Sequence, residues 1–279
     1  MAQTKHEIQD LLAAIGSKPH HRFGQNFMID QNLVRLVAEA GNISSDDIVI
    51  EVGPGTGTLT EELLARAGKV IAVEIDRNLT ELLRDKFAAN EKFELIEGDA
   101  LAGKHALNAD IHAALRAGAK PQAAVKLVAN LPYNIASPLA IEMLIAGVEL
   151  LAFTVQKEVA DRLRASASEE AYGPLSVMAR MLSRVEILRT LPPQAFWPMP
   201  KIESALVRMT RENRLGDRAV EFSTFVHRIF SFRRKTLRKA FSLAEYDVKL
   251  LEQCGIDPQL RAENLTPQQF HQLFEAAET

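Results

Sequence analysis

The sequence predicts an α/β fold, a largely parallel sheet wound with helices on both faces and followed by a small all-helical C-terminal domain. Three observations carry this. From residue 48 onward, short apolar runs of strand length alternate with stretches whose apolar residues repeat at helical spacing. A set of alternate glycines joins the first of those strands to the helix after it. Beyond a polar stretch at 211–216 the periodicity becomes purely helical.

The elements follow in order. Ile48–Val52 is a short apolar run ending at the glycines, and Leu59, Leu63, Leu64 and Ala67 then repeat at helical spacing, with Gly68 placed to end that helix. Residues 70–75 make the second strand, Leu79, Leu82, Leu83 and Phe87 mark the next helix, and 93–96 make the third strand. Residues 102–121 are Ala-rich and are expected to hold a helix of their own. Residues 125–129 read as an apolar strand buried on both faces. Ser137 and Pro138 offer an N-cap and a first-turn proline for a helix running toward Gly147. Residues 150–155, 186–191 and 205–209 complete seven strands. The domains are therefore expected at 1–212 and 213–279. In the second, Phe222, Phe225, Val226, Ile229 and Phe230 form an amphipathic face. Thr266, Pro267 and Gln269 form a capping box with a first-turn proline, with Leu265 able to staple to Phe270.

Composition narrows the function classes. The chain has 279 residues, 47% of them hydrophobic, and no apolar run approaches a membrane span. Its N-terminus carries acidic residues and lacks the apolar core of a secretory signal, which points to a cytoplasmic, membrane-free protein. Cys254 is the single cysteine, so intramolecular disulfides and cysteine-based zinc sites are excluded, and no metal is expected. The net charge of -3 hides a segregation: residues 180–240 carry 14 Lys/Arg against 5 Asp/Glu, a local +9, leaving −12 for the rest. Such a segment can bind phosphates locally on an otherwise acidic chain, or it can be a solvated helical face.

Four motifs carry chemistry. The first, Glu51-Val52-Gly53-Pro54-Gly55-Thr56-Gly57-Thr58-Leu59, lets the backbone turn tightly and approach a nucleotide-like ligand at the carboxyl ends of the strands. Its G-x-G-x-G spacing is not the dinucleotide pattern, and no Walker lysine follows. Second, Glu74 ends the next strand, where an acid can accept both hydroxyls of an adenosyl ribose; this suits NAD and S-adenosylmethionine alike. Third, Asp99, in Gly98-Asp99-Ala100-Leu101, stands at the same sheet edge, where it can accept from an adenine amine. Fourth, Asn130-Leu131-Pro132-Tyr133 follows the strand at 125–129 and resembles the (N/D)-x-P-(Y/F) motif of amino-methyltransferases. An aromatic amine is a poor nucleophile because its lone pair is delocalised into the ring. Two acceptors, the Asn130 side-chain oxygen and the Leu131 carbonyl, would localise that lone pair. Pro132 would hold Leu131 extended, and Tyr133 would stack on the base.

Together these residues resemble the ribosomal RNA adenine methyltransferase family, in its bacterial 16S dimethyladenosine transferase branch, over most of the chain. His21-Arg22-Phe23-Gly24-Gln25-Asn26-Phe27-Met28 resembles the family's N-terminal cofactor motif, and Asn130 through Pro138 its catalytic loop. Gln156-Lys157-Glu158-Val159-Ala160 and Phe196-Trp197-Pro198-Met199-Pro200-Lys201-Ile202-Glu203-Ser204 match two further segments, and Ser231 through Arg238 the C-terminal basic motif. Met28, the Pro19-His20-His21 lead-in and the longer 102–121 segment depart from the pattern.

The resemblance implies a Rossmann-like seven-stranded methyltransferase sheet. It implies an S-adenosylmethionine site at Asn26, Met28, Gly53, Gly55, Gly57, Glu74, Asp99 and Asn130. Catalysis would fall to Asn130, Leu131, Pro132, Tyr133 and Phe196, with Phe196 against the target base. RNA contacts would fall to Arg233, Arg234, Lys235 and Arg238. The implied activity is dimethylation of two adjacent adenosines near the 3′ end of 16S rRNA within the small subunit, by a monomer. Three other readings are an NAD-linked oxidoreductase, a 23S rRNA methyltransferase and a non-catalytic assembly factor. The G-x-G-x-G spacing and the intact Asn130–Tyr133 loop oppose the first and third. The Asn134–Pro138 continuation and the basic motif favour the 16S type over the second.

Overall fold

The computed structural model describes residues 3–103, 106–117 and 123–278. The chain forms two compact units, Met1–Lys157 with Glu186–Arg211, and Glu158–Val185 with Glu212–Thr279.

The first unit opens with α1 (Lys5–Ala14), β1 (Phe27–Met28) and α2 (Gln31–Ala40). Strand and helix then alternate through β2 (Ile48–Val52), α3 (Thr58–Leu64), β3 (Lys69–Glu74), α4 (Arg77–Phe87), β4 (Phe93–Glu97), α5 (Ala109–Ala117), β5 (Val125–Asn130), α6 (Ala136–Ile145) and β6 (Leu150–Gln156). After α7 (Lys157–Arg164) and α8 (Pro174–Leu182) come β7 (Ser183–Leu191), β8 (Phe196–Trp197) and β9 (Ser204–Arg211). Seven strands form one sheet in the order β4-β3-β2-β5-β6-β9-β7, and β1 pairs with β8 in a second, two-stranded sheet. Strands β2 to β6 run parallel, and β9 is antiparallel to β6. The chain winds outward from β2 to β4, then returns to lay β5 against the other side of β2. That reversal opens a crevice at the carboxyl ends of β2 and β5, where ligands of such sheets bind.

All seven strands expected from the sequence are present, and α5 lies within the Ala-rich segment. Two local expectations change. Strand β5 is not wholly apolar: Lys126 is buried in it, paired with Asp47 at 2.6 Å and donating to the Asn42 carbonyl. A buried ammonium needs that full set of partners. Helix α6 starts at Ala136 with Ile135 as its N-cap, so Ser137 lies inside the first turn and no side chain caps it.

The second unit holds α8 with α9 (Ala219–Phe230), α10 (Leu237–Leu243), α11 (Lys249–Gln253) and α12 (Pro267–Ala277). The boundary expected at 212/213 lies beside one point where the chain changes unit, but residues 158–185 also belong here. The cause is packing. Val177, Met178, Met181 and Leu182 are buried on α8, which lies against α9 and α12. Around them Phe222 meets Phe274 at 5.4 Å, Phe230 stacks on Phe270 at 5.3 Å, and the Tyr172 hydroxyl donates to the Leu265 carbonyl at 2.7 Å. Thr266 and Gln269 form the expected capping box at the start of α12.

Candidate active site

The crevice is lined by the β2–α3 turn, the end of β3, the Gly98–Ala100 stretch, the end of β5 and the segment before β1. Of the expected cofactor residues, Asn26, Met28, Gly53, Gly55, Glu74, Asp99 and Asn130 all border it. Gly57 does not. It caps α3 with φ +80°, and a Cβ there would lie 2.8 Å from the Phe87 ring, so its glycine serves helix packing. Gly55, at φ +61°, would press a Cβ to 2.8 Å from Phe27.

Glu74 is buried at the end of β3. Its Oε2 accepts from the Gly55 amide at 3.2 Å, and its Oε1 accepts from the Ile75 and Asp76 amides at 3.0 Å each. Burial pushes its carboxyl up to about 7, against the pull of those amides. Half-exposed Ile75 beside it gives the cleft an apolar face. Glu51 also borders the cleft, buried, with the Thr60 hydroxyl donating to its Oε2 at 2.7 Å. Burial pushes Glu51 up to about 8, and the neighbouring Glu74 adds to the rise.

At the end of β5 the Asn130 Nδ2 donates to the Asn26 carbonyl at 2.5 Å, while its Oδ1 accepts from the Thr154 hydroxyl. Pro132 lines the cleft and faces Gly53 across it. Tyr133 is half-buried, its hydroxyl bonded to the Ser204 Oγ at 2.7 Å, and burial raises its pKa. Leu131 is buried. Phe196, which the resemblance sets against the target base, does not border the cleft. It is only 2% exposed and belongs to the core cluster with Met28, Leu33 and Leu206. The β1–β8 register turns it inward, pairing Met28 with Phe196 and Phe27 with Trp197.

Sequence reasoning missed several supports. Gln3 reaches into the glycine turn, its Nε2 donating to the Thr56 carbonyl at 3.1 Å and its Oε1 accepting from Thr56 Oγ1 at 2.5 Å and Thr58 Oγ1 at 2.9 Å. Gln25 Nε2 donates to Asp76 at 3.1 Å. No local pattern announces either contact, since each joins residues about 50 apart in sequence. Thr154 did leave a signal, as the one hydroxyl in the otherwise apolar run at 150–155.

In the second unit, Arg233 is tied to Glu263 at 2.9 Å. Arg234, Lys235, Arg238 and also Lys239 are exposed and carry no ion pair among the described residues. Also among the described residues, no group of His, Cys, Asp or Glu is arranged to hold a metal, and no helix is long and apolar enough to cross a membrane.

The donor set suits one ligand class. Carboxylates for hydroxyls and an amine, an apolar face at Ile75 and a glycine turn fit an adenosyl group. The Asn-Leu-Pro-Tyr loop beside them suits an amine acceptor of methyl groups. The fold and this cleft define an S-adenosylmethionine-dependent methyltransferase. Residues 16–279 match the family model for ribosomal RNA adenine dimethylase, and the chain belongs to that family. It is 42% identical over 256 residues to ribosomal RNA small subunit methyltransferase A of Hahella chejuensis, covering 90% of each chain. It is 44% identical over 276 residues to the protein of that name from Magnetococcus marinus, covering 95% of this chain and 94% of that one. Among solved structures it resembles a dimethyladenosine transferase from Plasmodium falciparum, with a TM-score of 0.71 and 25% identity over 88% of this chain and 95% of that one. It also resembles the 23S rRNA methyltransferase ErmE, with a TM-score of 0.63 and 26% identity over 91% of this chain and all of that one.

Proposed function

We propose that the chain dimethylates the exocyclic amines of two adjacent adenosines in a hairpin near the 3′ end of 16S rRNA, as a monomer acting on assembling small subunits in the cytoplasm. One observation carries the chemistry: the glycine turn, Glu74 and Asn130 border a single cleft at the sheet's reversal point. The small-subunit names of the curated relatives favour 16S over 23S RNA.

Bound S-adenosylmethionine supplies a methyl group activated by its sulfonium. Glu74 would accept from the ribose, Ile75 would cover a face of the adenine, Asp99 would accept from its amine, and Asn26 and Met28 would close the cleft. On the substrate side, Asn130 Oδ1 and the Leu131 carbonyl would accept the hydrogens of the target amine and localise its lone pair. Tyr133, anchored through its hydroxyl to Ser204, would present a fixed ring to the base. Phe196 is buried in the core cluster, so the base contact that the resemblance implies would fall to Tyr133 alone. No general base with a shifted pKa is needed, because the amine becomes acidic only once it is methylated.

The test is to incubate the protein with methyl-labelled S-adenosylmethionine and undermodified small subunits, then map the label. The expected result is two dimethylated adenosines side by side in the small-subunit RNA. Label in the large-subunit RNA, or none, would overturn the assignment.

A further inference from the structure

Strand β6 reads Leu150-Leu151-Ala152-Phe153-Thr154-Val155-Gln156, and Thr154 is fully buried between Phe153 and Val155. A buried hydroxyl without a partner is costly, so a position like this holds threonine only where something takes its hydrogen. In the parallel β5–β6 ladder Thr154 is the register partner of Asn130, so both side chains leave the sheet on one face. The partner that takes its hydrogen is Asn130 Oδ1.

The direction of that bond follows from the other end of the carboxamide. Asn130 Nδ2 faces the Asn26 carbonyl at 2.5 Å, and a carbonyl can only accept. The nitrogen must therefore lie toward Asn26 and the oxygen toward Thr154, whose hydroxyl donates. The flipped carboxamide would set oxygen against oxygen at Asn26. Held from one side only, an asparagine amide rotates in a broad χ2 well. Held from both sides, it has one orientation. Its oxygen has two lone pairs, and Thr154 uses one, leaving the other for a substrate N–H.

We propose that Thr154 is a positioning residue for methyl transfer, its buried hydroxyl clamping the Asn130 carboxamide in the orientation that presents Oδ1 to the target amine. This rests on the role given to Asn130 above. Thr154 touches neither substrate nor cofactor. Its contribution passes entirely through Asn130, and that makes it testable.

Thr154→Val keeps the shape and β-branching of the side chain and removes the hydroxyl. Single-turnover methylation of undermodified small subunits, at saturating S-adenosylmethionine, should slow by about 10- to 100-fold, the scale of a misplaced reacting group. The RNA KM and the S-adenosylmethionine affinity should stay within about twofold of the parent, because the effect falls on the chemical step. Thr154→Ser should restore most of the rate. In a double-mutant cycle, Thr154→Val added to Asn130→Ala should cost nothing further, since a clamp with nothing to hold has no effect. The inference is overturned by any of three results: Thr154→Val turning over within about threefold of the parent, Thr154→Ser as slow as Thr154→Val, or a double mutant slower than Asn130→Ala by the full Thr154→Val factor. Asn130→Ala alone separates this inference from the reading it rests on. If that variant keeps the parental rate, the role of Asn130 falls. If it is slow and Thr154→Val is not, only the clamp falls.

Discussion

The contact between Gln3 and the glycine turn makes a sharp prediction, because a residue far from the chemistry should control cofactor affinity. Gln3→Ala removes three hydrogen bonds. They are not equal losses. The Thr56 carbonyl keeps a second donor, the Lys86 ammonium at 3.0 Å, which is in turn paired with Glu61 at 2.7 Å. The hydroxyls of Thr56 and Thr58, both buried, lose their shared acceptor. At about 0.5–1.5 kcal/mol for each neutral bond, two of them amount to roughly 1–3 kcal/mol. Helix α1 keeps Ile8 and Leu12 buried against Phe27 and Leu79, so the loss should fall on the turn and leave the helix docked. The turn must then be ordered when the ligand arrives, which lowers S-adenosylmethionine affinity by about 5- to 150-fold if the whole loss appears there. Titration calorimetry measures the affinity, and hydrogen exchange of the amides at 53–58 measures the opening. Unchanged affinity with faster exchange would show that the turn's order is irrelevant to binding. Unchanged exchange would show that Gln3 does not hold the turn.

Three further outcomes follow from the charges. Glu74→Gln sets an amide nitrogen among three backbone donors and should weaken S-adenosylmethionine binding by about ten- to a hundredfold by calorimetry, the scale of a lost charge-assisted bond. Replacing Arg234, Lys235, Arg238 and Lys239 with Ala should flatten the salt dependence of small-subunit binding by about 0.7–0.9 unit of slope per lost phosphate contact, read by filter binding across a salt series. Arg233→Ala should change it least, because Glu263 already neutralises that guanidinium. Glu51 holds its proton up to about 8 when folded against 4.5 as its ordinary value, so the stability it contributes is complete below pH 4.5 and is lost as pH rises toward 8. Urea melts of the ligand-free parent should therefore lose up to about 1.4 kcal/mol per pH unit in that window relative to Glu51→Gln; parallel pH profiles would refute it.

The central architecture was legible because its signals are local. Apolar runs ending in turns fixed all seven main strands, and the glycine turn announced the crevice before any strand order was known. The Thr266 cap was legible for the same reason, since its partners lie within four residues. What stayed hidden depends on distant pairing. Strands β1 and β8 are two residues each and exist only because they meet. Their register decides that Phe196 points into the core, which a match of motif letters does not record. Helix α8 has an apolar face that reads the same whichever unit it packs against. Arg233 and its neighbours look alike in sequence, and only the position of Glu263, 30 residues later, separates them.

Three of the side chains proposed for the site share one property: each is held by another protein group independently of any ligand. Three backbone amides hold Glu74, Ser204 holds the Tyr133 hydroxyl, and Asn26 and Thr154 hold Asn130. The arrangement suits a reaction with no acid–base step to drive it. When nothing in the site changes protonation before transfer, rate must come from placing acceptors correctly beforehand, and that placement counts only if the acceptors do not reorganise as the amine arrives. A carboxamide free to flip would spend half of its orientations offering a donor to an amine that needs an acceptor. On the roles proposed for Asn130 and Tyr133, the supporting contacts would belong to the catalytic design, and the proposed clamp would give a buried threonine its place in a strand that is otherwise apolar.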